Sequence, residues 1–235
     1  MRVLCVAEKP SISKAVATHL AGGRVETHNT RNKYIKNYSF DFDFGGQQLG
    51  NCSVTMTCVT GHLTNVDFTP AYKNWYSPPP QSLFSAPIVT SVSEDKKTIA
   101  QNLESQARYA QALVIWTDCD REGEHIGYEI VEAARKGKPG IRVLRARFSN
   151  VERAHVLSAA RNLATLDERQ VNAVATRIEL DLRIGYAFTR FITNNLRTLG
   201  GPMEKLTLSY VDRYFRVKNF VPEAFWSIKL MHNRD

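Results

Sequence analysis

Residues 114–127 read VIWTDCDREGEHIG, and the reading of this stretch decides the fold. The apolar run Ala112-Leu113-Val114-Ile115-Trp116 ends abruptly, and Asp118, Asp120, Glu122 and Glu124 follow at every second position. A short apolar run of this kind reads as a strand buried on both faces. Asp120 then suits the N-cap of a helix over 121–136, with Glu122 in its first turn. In extended backbone, residues two apart project to the same side, so Asp118 and Asp120 share a direction.

Working outward, residues 2–8, RVLCVAE, form a second buried strand that ends on Glu8. Pro10 opens a helix through SISKAVATHL, which Gly22-Gly23 ends. The pattern predicts strands over 33–44, 52–60 and 141–148, and a helix from Ser93 to about Arg108. Ser149-Asn150-Val151-Glu152 reads as a capping box for a helix to about Asn162. A further helical stretch runs from Asp167 to Leu199, where Gly200-Gly201-Pro202 stops it. Residues 64–87, with five prolines, Trp75 and Tyr76, read as one long loop. Strands alternating with helices predict an α/β fold with a mainly parallel sheet up to about residue 148, and from 149 to 199 the chain reads as nearly all helix.

The 235 residues carry a formal net charge of +8, from 31 Lys+Arg against 23 Asp+Glu. Such a surplus suits a polyanionic partner such as nucleic acid. Cys5, Cys52, Cys58 and Cys119 form no CxxC pair, so neither a zinc site nor a disulfide framework is suggested, and a reducing compartment is the default. No apolar run approaches the ~18 residues that a membrane span needs. MRVLCVAEKP enters a strand directly, without a secretory or transit pattern.

In open α/β sheets the functional crevice lies beyond the carboxyl ends of the strands. If the strands over 2–8 and 112–117 are neighbours, Glu8 meets Asp118, Asp120 and Glu122 there. Clustered carboxylates stay ionised only with a balancing cation. Hard oxygen ligands beside a polyanion select Mg²⁺, which would offset charge on a reacting phosphate. The competing reading is a set of capping and solvated acids at a helix start. Lys9 lies in reach of a phosphate or on the plain surface. His62 ends a strand and faces either the crevice, as a DNA or site contact, or the long loop. His125 shares the helix face of Glu122 and is either a partner behind the acidic residues or, as expected, a packed or solvated histidine, and Glu124 is expected to be solvated. Arg183, Arg190 and Arg197 recur at heptad spacing, interleaved with Tyr186, Phe188 and Phe191. That pattern suits single-stranded nucleic acid, or core aromatics beside a solvated charged face.

The stretches VLCVAEKPSISKAVA, VTGHL, WTDCDREGEHIG, RARFSNVERAHVLSAARN and TRIELDLRIGYAFTR follow one another in this order. Together they resemble the N-terminal part of the type IA DNA topoisomerases, in their eukaryotic topoisomerase III branch. The resemblance runs from Met1 to about Leu199 and resumes at VDRYFRVKNFVPEAFW. It implies a Toprim domain over 1–150 and a partial helical DNA-binding domain over 151–235. It implies Glu8 as general acid/base, Lys9 as a contact to the cleaved phosphate, and Asp118, Asp120 and Glu122 as Mg²⁺ ligands. It implies single-stranded DNA as substrate, with a RecQ-family helicase and an OB-fold accessory protein as partners in the nucleus. The family's nucleophilic tyrosine lies in a later domain, and neither Tyr210 nor Tyr214 matches its motif. The chain alone is therefore expected to be inactive in relaxation. The family also carries a segment reading GxCQFPTLGFV between SY and VDRY. Here Ser209-Tyr210 runs directly into Val211-Asp212, an apparent internal deletion near 210. Two other classes stay open: a Toprim nuclease or primase-like phosphodiester enzyme, and a non-catalytic module holding single-stranded DNA or a protein.

Overall fold

The computed structural model describes residues 1–45, 48–198 and 217–219, excepting the side chains of 196–198. Its elements run β1 (Arg2–Ala7), α1 (Pro10–Ala21), β2 (Glu26–Asn29), β3 (Lys36–Asp43), β4 (Asn51–Cys58), β5 (Thr64–Phe68) and β6 (Ile88–Val92). They continue with α2 (Lys97–Ala107), β7 (Ala112–Trp116), α3 (Arg121–Gly137), β8 (Arg142–Arg145), α4 (Arg153–Arg161) and α5 (Glu168–Thr198). Six strands form one sheet in the order β2-β3-β4-β1-β7-β8. β4, β1, β7 and β8 run parallel, and β2 and β3 add an antiparallel edge. The fold is the α/β class that the alternating pattern predicts.

β7 is buried at all five of its positions, and β1 at every position after Arg2. That is why both read as unbroken apolar runs: helices cover both faces of a parallel sheet. Each fully buried Val, Leu or Ile there contributes roughly 1.5–3 kcal/mol. α1 packs with α4, whereas α2 packs on α3, which also carries α5. Pro10 at the start of α1 and Gly22 at its end, with φ 63°, match the expected boundaries.

Register is what positions the site. Ala7 pairs with Cys58 on one side and Trp116 on the other, so three strands end level. The Glu8 N–H donates to the Trp116 carbonyl at 3.3 Å, and the Gly61 N–H donates to the Glu8 carbonyl at 3.3 Å. Glu8, the turn holding His62, and Asp118 are therefore delivered to one edge.

Three expectations need correction. The stretch expected as one loop contains β5, which pairs antiparallel with β6 as a separate two-stranded sheet. The intervening proline-rich segment separates the two strands in sequence and hides the pairing; it makes two 3-10 turns at Pro70–Tyr72 and Pro80–Phe84. β2 was not foreseen because its four residues are all exposed, leaving no hydrophobic pattern. The capping box at Ser149 does not form: α4 starts at Arg153, and Asn150 Oδ1 instead accepts the Glu152 N–H at 3.0 Å.

The turn after β7 is tightly tied. The Asp120 side chain caps α3 by accepting the Gly123 N–H at 2.7 Å, and Thr117 Oγ1 donates to the Gly123 carbonyl at 2.7 Å. A Cβ on Gly123 would lie 2.0 Å from the Asp118 carbonyl oxygen. Gly123→Ala is expected to destabilise the chain by about 1–3 kcal/mol, because backbone must shift. The check is the urea midpoint, which falls if this packing holds; an unchanged midpoint would contradict it.

Candidate metal and acid–base site

Glu8 is 8% exposed, and its Oε2 accepts the Asp118 N–H at 3.1 Å across the β1–β7 junction. The Lys9 ammonium sits 2.8 Å from Asp118 Oδ2 and 3.4 Å from Glu8 Oε1. The hydrogen bond to Asp118, followed by the charges of Glu8 and Asp118, holds the Lys9 pKa above its ordinary value. The ammonium thus occupies a point on which two carboxylates converge, as a cation would. Asp120 spends one carboxylate oxygen on its cap. The Asp118 and Glu122 side chains are 37% and 40% exposed, which leaves room for a hydrated ion. Oxygen-only side chains of this kind suit Mg²⁺ by their chemistry, whereas the His, Cys, Asp and Glu ligand atoms that come within 4.8 Å of one another among the described residues are those of His62, His125 and Glu129.

Glu122 is gripped from two sides. Its Oε2 lies 3.2 Å from His62 Nε2 and its Oε1 2.8 Å from Arg177 Nη2. His62 Nδ1 lies 3.4 Å from Oε1 of Glu129, a buried residue on α3 that also accepts the Leu63 N–H at 2.8 Å and the Thr64 hydroxyl. The hydrogen bond to Glu129 leads in raising the His62 pKa, against its burial. Burial works to raise the Glu129 pKa, but hydrogen bonds from His62, Thr64 and Leu63 outweigh it and hold the carboxyl below its ordinary value. His62 therefore faces the crevice with both ring nitrogens beside carboxylates. The structure brings Glu8, Lys9 and Asp118 into direct contact, places Asp120 in the same turn, and ties Glu122 to His62 and Arg177.

Glu124 was expected in solvent and is instead 3% exposed. The i+4 geometry of α3 turns it inward, where Arg145 meets it. Arg145 is completely buried at the end of β8. Its Nε donates to Glu124 Oε1 at 3.1 Å, its Nη1 to the Ala146 carbonyl at 2.6 Å, and its Nη2 to the Asp118 carbonyl at 2.8 Å. Glu124 Oε2 in turn accepts the Asp167 N–H at 2.9 Å, where α5 begins. One ion pair thus binds the acidic turn, β8 and α5 together. Arg145 carries little signal in the sequence, since Arg142 and Arg147 flank it in the same stretch, and Glu129 and Arg177 carry none of their own.

The arginine stripe is a second correction. Arg183 and Arg190 do share a face of α5, but that face meets the proline-rich segment. Arg183 Nη1 donates to the Leu83 carbonyl at 3.1 Å and the Ala86 carbonyl at 2.8 Å, and its Nη2 pairs with Glu179 at 2.7 Å. Arg190, 1% exposed, donates to the carbonyls of Tyr72 and Asn74. A guanidinium has five donors, and Arg183 and Arg190 turn several of theirs onto carbonyls of this segment. The Arg197 side chain lies outside the described residues. Tyr186, Phe188 and Phe191 remain exposed. Cys5 and Cys58 are buried, which pushes their thiols up to about 12 and about 11.

Removing one partner of a buried pair leaves an uncompensated charge, which costs about 3–5 kcal/mol. Arg145→Met is expected to lose that much in urea unfolding, and Arg145→Met with Glu124→Gln is expected to recover part of it. Equal losses in the single and double variants would contradict the pairing.

Residues 3–151 match the Toprim domain family, and residues 165–235 match the DNA topoisomerase family. The DNA topoisomerase 3 of Schizosaccharomyces pombe is 48% identical over 100% of this chain and 39% of its own length. That of Saccharomyces cerevisiae is 44% identical over 100% of this chain and 41% of its own. Human DNA topoisomerase 3-alpha is 42% identical over 99% of this chain and 24% of its own. The chain spans well under half the length of these relatives. It belongs to the Toprim family, and it corresponds to the N-terminal part of the DNA topoisomerase 3 group of type IA topoisomerases.

Proposed function

We propose that this chain supplies the metal and acid–base half of the site with which a type IA topoisomerase cleaves and rejoins single-stranded DNA. The observation that carries the reading is the junction of Glu8 with Asp118 across adjacent buried strands, with the Lys9 ammonium between them. Asp118, Asp120 and Glu122 would hold Mg²⁺, and the bound ion would offset charge on the reacting phosphate. Glu8, held against a backbone N–H in a nearly closed position, exchanges a proton with the leaving deoxyribose oxygen. Lys9 is about half exposed and swings between the carboxylates and a phosphate oxygen. The covalent phosphotyrosine of such a mechanism keeps the energy of the broken phosphodiester, and its tyrosine belongs to a later domain of the family.

The split into a Toprim domain over 1–150 and a partial helical DNA-binding domain over 151–235 belongs to the same reading. So does a gap near residue 210, which lies outside the described residues. The S. pombe alignment runs over 245 residues against the 235 of this chain, so at least 10 of its positions have no counterpart here. Single-stranded DNA would approach over a surface of net charge +8, with His62 at the crevice edge and Arg197 as a further contact. A RecQ-family helicase and an OB-fold protein are the proposed partners, and the nucleus the proposed site of action. Homologues of 48% and 42% identity that are DNA topoisomerases weigh against a stand-alone nuclease or a passive binding module.

The test is a chimera in which residues 1–198 of this chain replace the matching part of S. pombe DNA topoisomerase 3. It is expected to relax negatively supercoiled DNA with Mg²⁺. Glu8→Gln in the chimera should lower the rate by about 10²–10⁴-fold, the range for loss of a general acid/base. A chimera that relaxes DNA equally well with Glu8→Gln would overturn the assignment.

A further inference from the structure

We infer that His62, His125 and Glu129 form a binding site for a borderline-soft divalent cation of the Zn²⁺ type, separate from the Asp118–Asp120 carboxylates. The ligand atoms of the three residues lie within 4.8 Å of one another. His125 and Glu129 stand one turn apart on α3 and face the turn after β4 that carries His62.

Two observations point to a ligand. First, His125 is only 8% exposed, yet its Nδ1 has no hydrogen-bond partner. That nitrogen lies 3.7 Å from Glu129 Oε1, beyond hydrogen-bond reach. A buried polar atom left in this way is unfavourable, and a metal bond would satisfy it. Second, the other two residues already have the outer hydrogen bonds that orient metal ligands. Glu129 is fixed by the Leu63 N–H at 2.8 Å and by the Thr64 hydroxyl. His62 presents Nδ1 to the cluster, 3.4 Å from Glu129 Oε1, while its Nε2 is 3.2 Å from Glu122. A ligating imidazole whose far nitrogen donates to a carboxylate is the usual outer arrangement of zinc histidines.

The donor set decides the metal class. Two imidazole nitrogens and one carboxylate select Zn²⁺ over Mg²⁺, which prefers oxygen alone. Zinc bonds of about 2.0–2.2 Å require the three side chains to close inward by roughly 1 Å from their present separations. Three protein ligands leave a fourth position for water. An ion here would pin α3 to the turn after β4, and through His62 it would hold Glu122.

The test titrates Zn²⁺ into the full chain against a chromophoric chelator, with X-ray absorption on the zinc-loaded wild type. One Zn²⁺ per chain is expected. His125→Asn and Glu129→Gln should each weaken binding at least tenfold, while Cys119→Ser and Asp118→Asn with Asp120→Asn leave it unchanged. The absorption spectrum should show imidazole in the metal shell, and this reading stands even if a variant fails to fold. Wild-type affinity in both cluster variants, loss of binding in Cys119→Ser or the aspartate variant, sulfur in the shell, or no imidazole would each overturn the proposal. Because the aspartate variant removes only the proposed Mg²⁺ ligands, failure here and failure of the proposed function are told apart.

Discussion

Parallel pairing of β1 with β7 is the constraint on which the site depends. The pair Ala7–Trp116 fixes the level at which both strands stop, and the next residues along each bring Glu8 to the Asp118 N–H. Neither strand has freedom to slip. Both are buried on two faces, and a shift of one residue would reverse which side chains meet α1 and which meet α3. Glu8 and Asp118 are thus 110 residues apart in sequence but are set by one ladder of backbone hydrogen bonds.

An acidic edge of this kind needs counter-charges, and they are of two kinds. Arg145 and Glu124 are buried together, so their pair is part of the scaffold: it fixes the Asp118 carbonyl and the start of α5. The pairs Lys9–Asp118 and Arg177–Glu122 are substantially exposed. Exposed pairs contribute only about 0–1 kcal/mol, so a metal ion and a phosphate can replace them at little loss. That difference separates what holds the crevice in shape from what can be exchanged on binding.

How much the sequence revealed depended on whether a residue's partner was local. β1, β7 and the Asp120 cap follow from apolar runs and helix-start chemistry visible within a few residues, whereas the meeting of Glu8 with Asp118 follows only once β1 and β7 are taken as neighbours. The inward turn of Glu124 did not, because its partner Arg145 lies 21 residues away and an acid in a first helical turn is ordinarily solvated. Heptad spacing puts Arg183 and Arg190 on one helix face, but the sequence pattern reads the element packed against that face as a long loop. The carbonyls of that segment leave no trace in the sequence, so the spacing alone leaves both a phosphate contact and a solvated face open. β5 and β6 were obscured for the same reason: their pairing spans the prolines that made the region look irregular.

Thermal or urea unfolding with and without Mg²⁺ tests most directly whether the carboxylates delivered by β1 and β7 hold a divalent cation. At about 100 times its dissociation constant, Mg²⁺ should stabilise the folded chain by roughly 2.7 kcal/mol, provided the unfolded chain does not bind it. Asp118→Asn with Asp120→Asn should abolish that gain. An equal gain in the double variant would contradict the account, since the ion would then be held elsewhere.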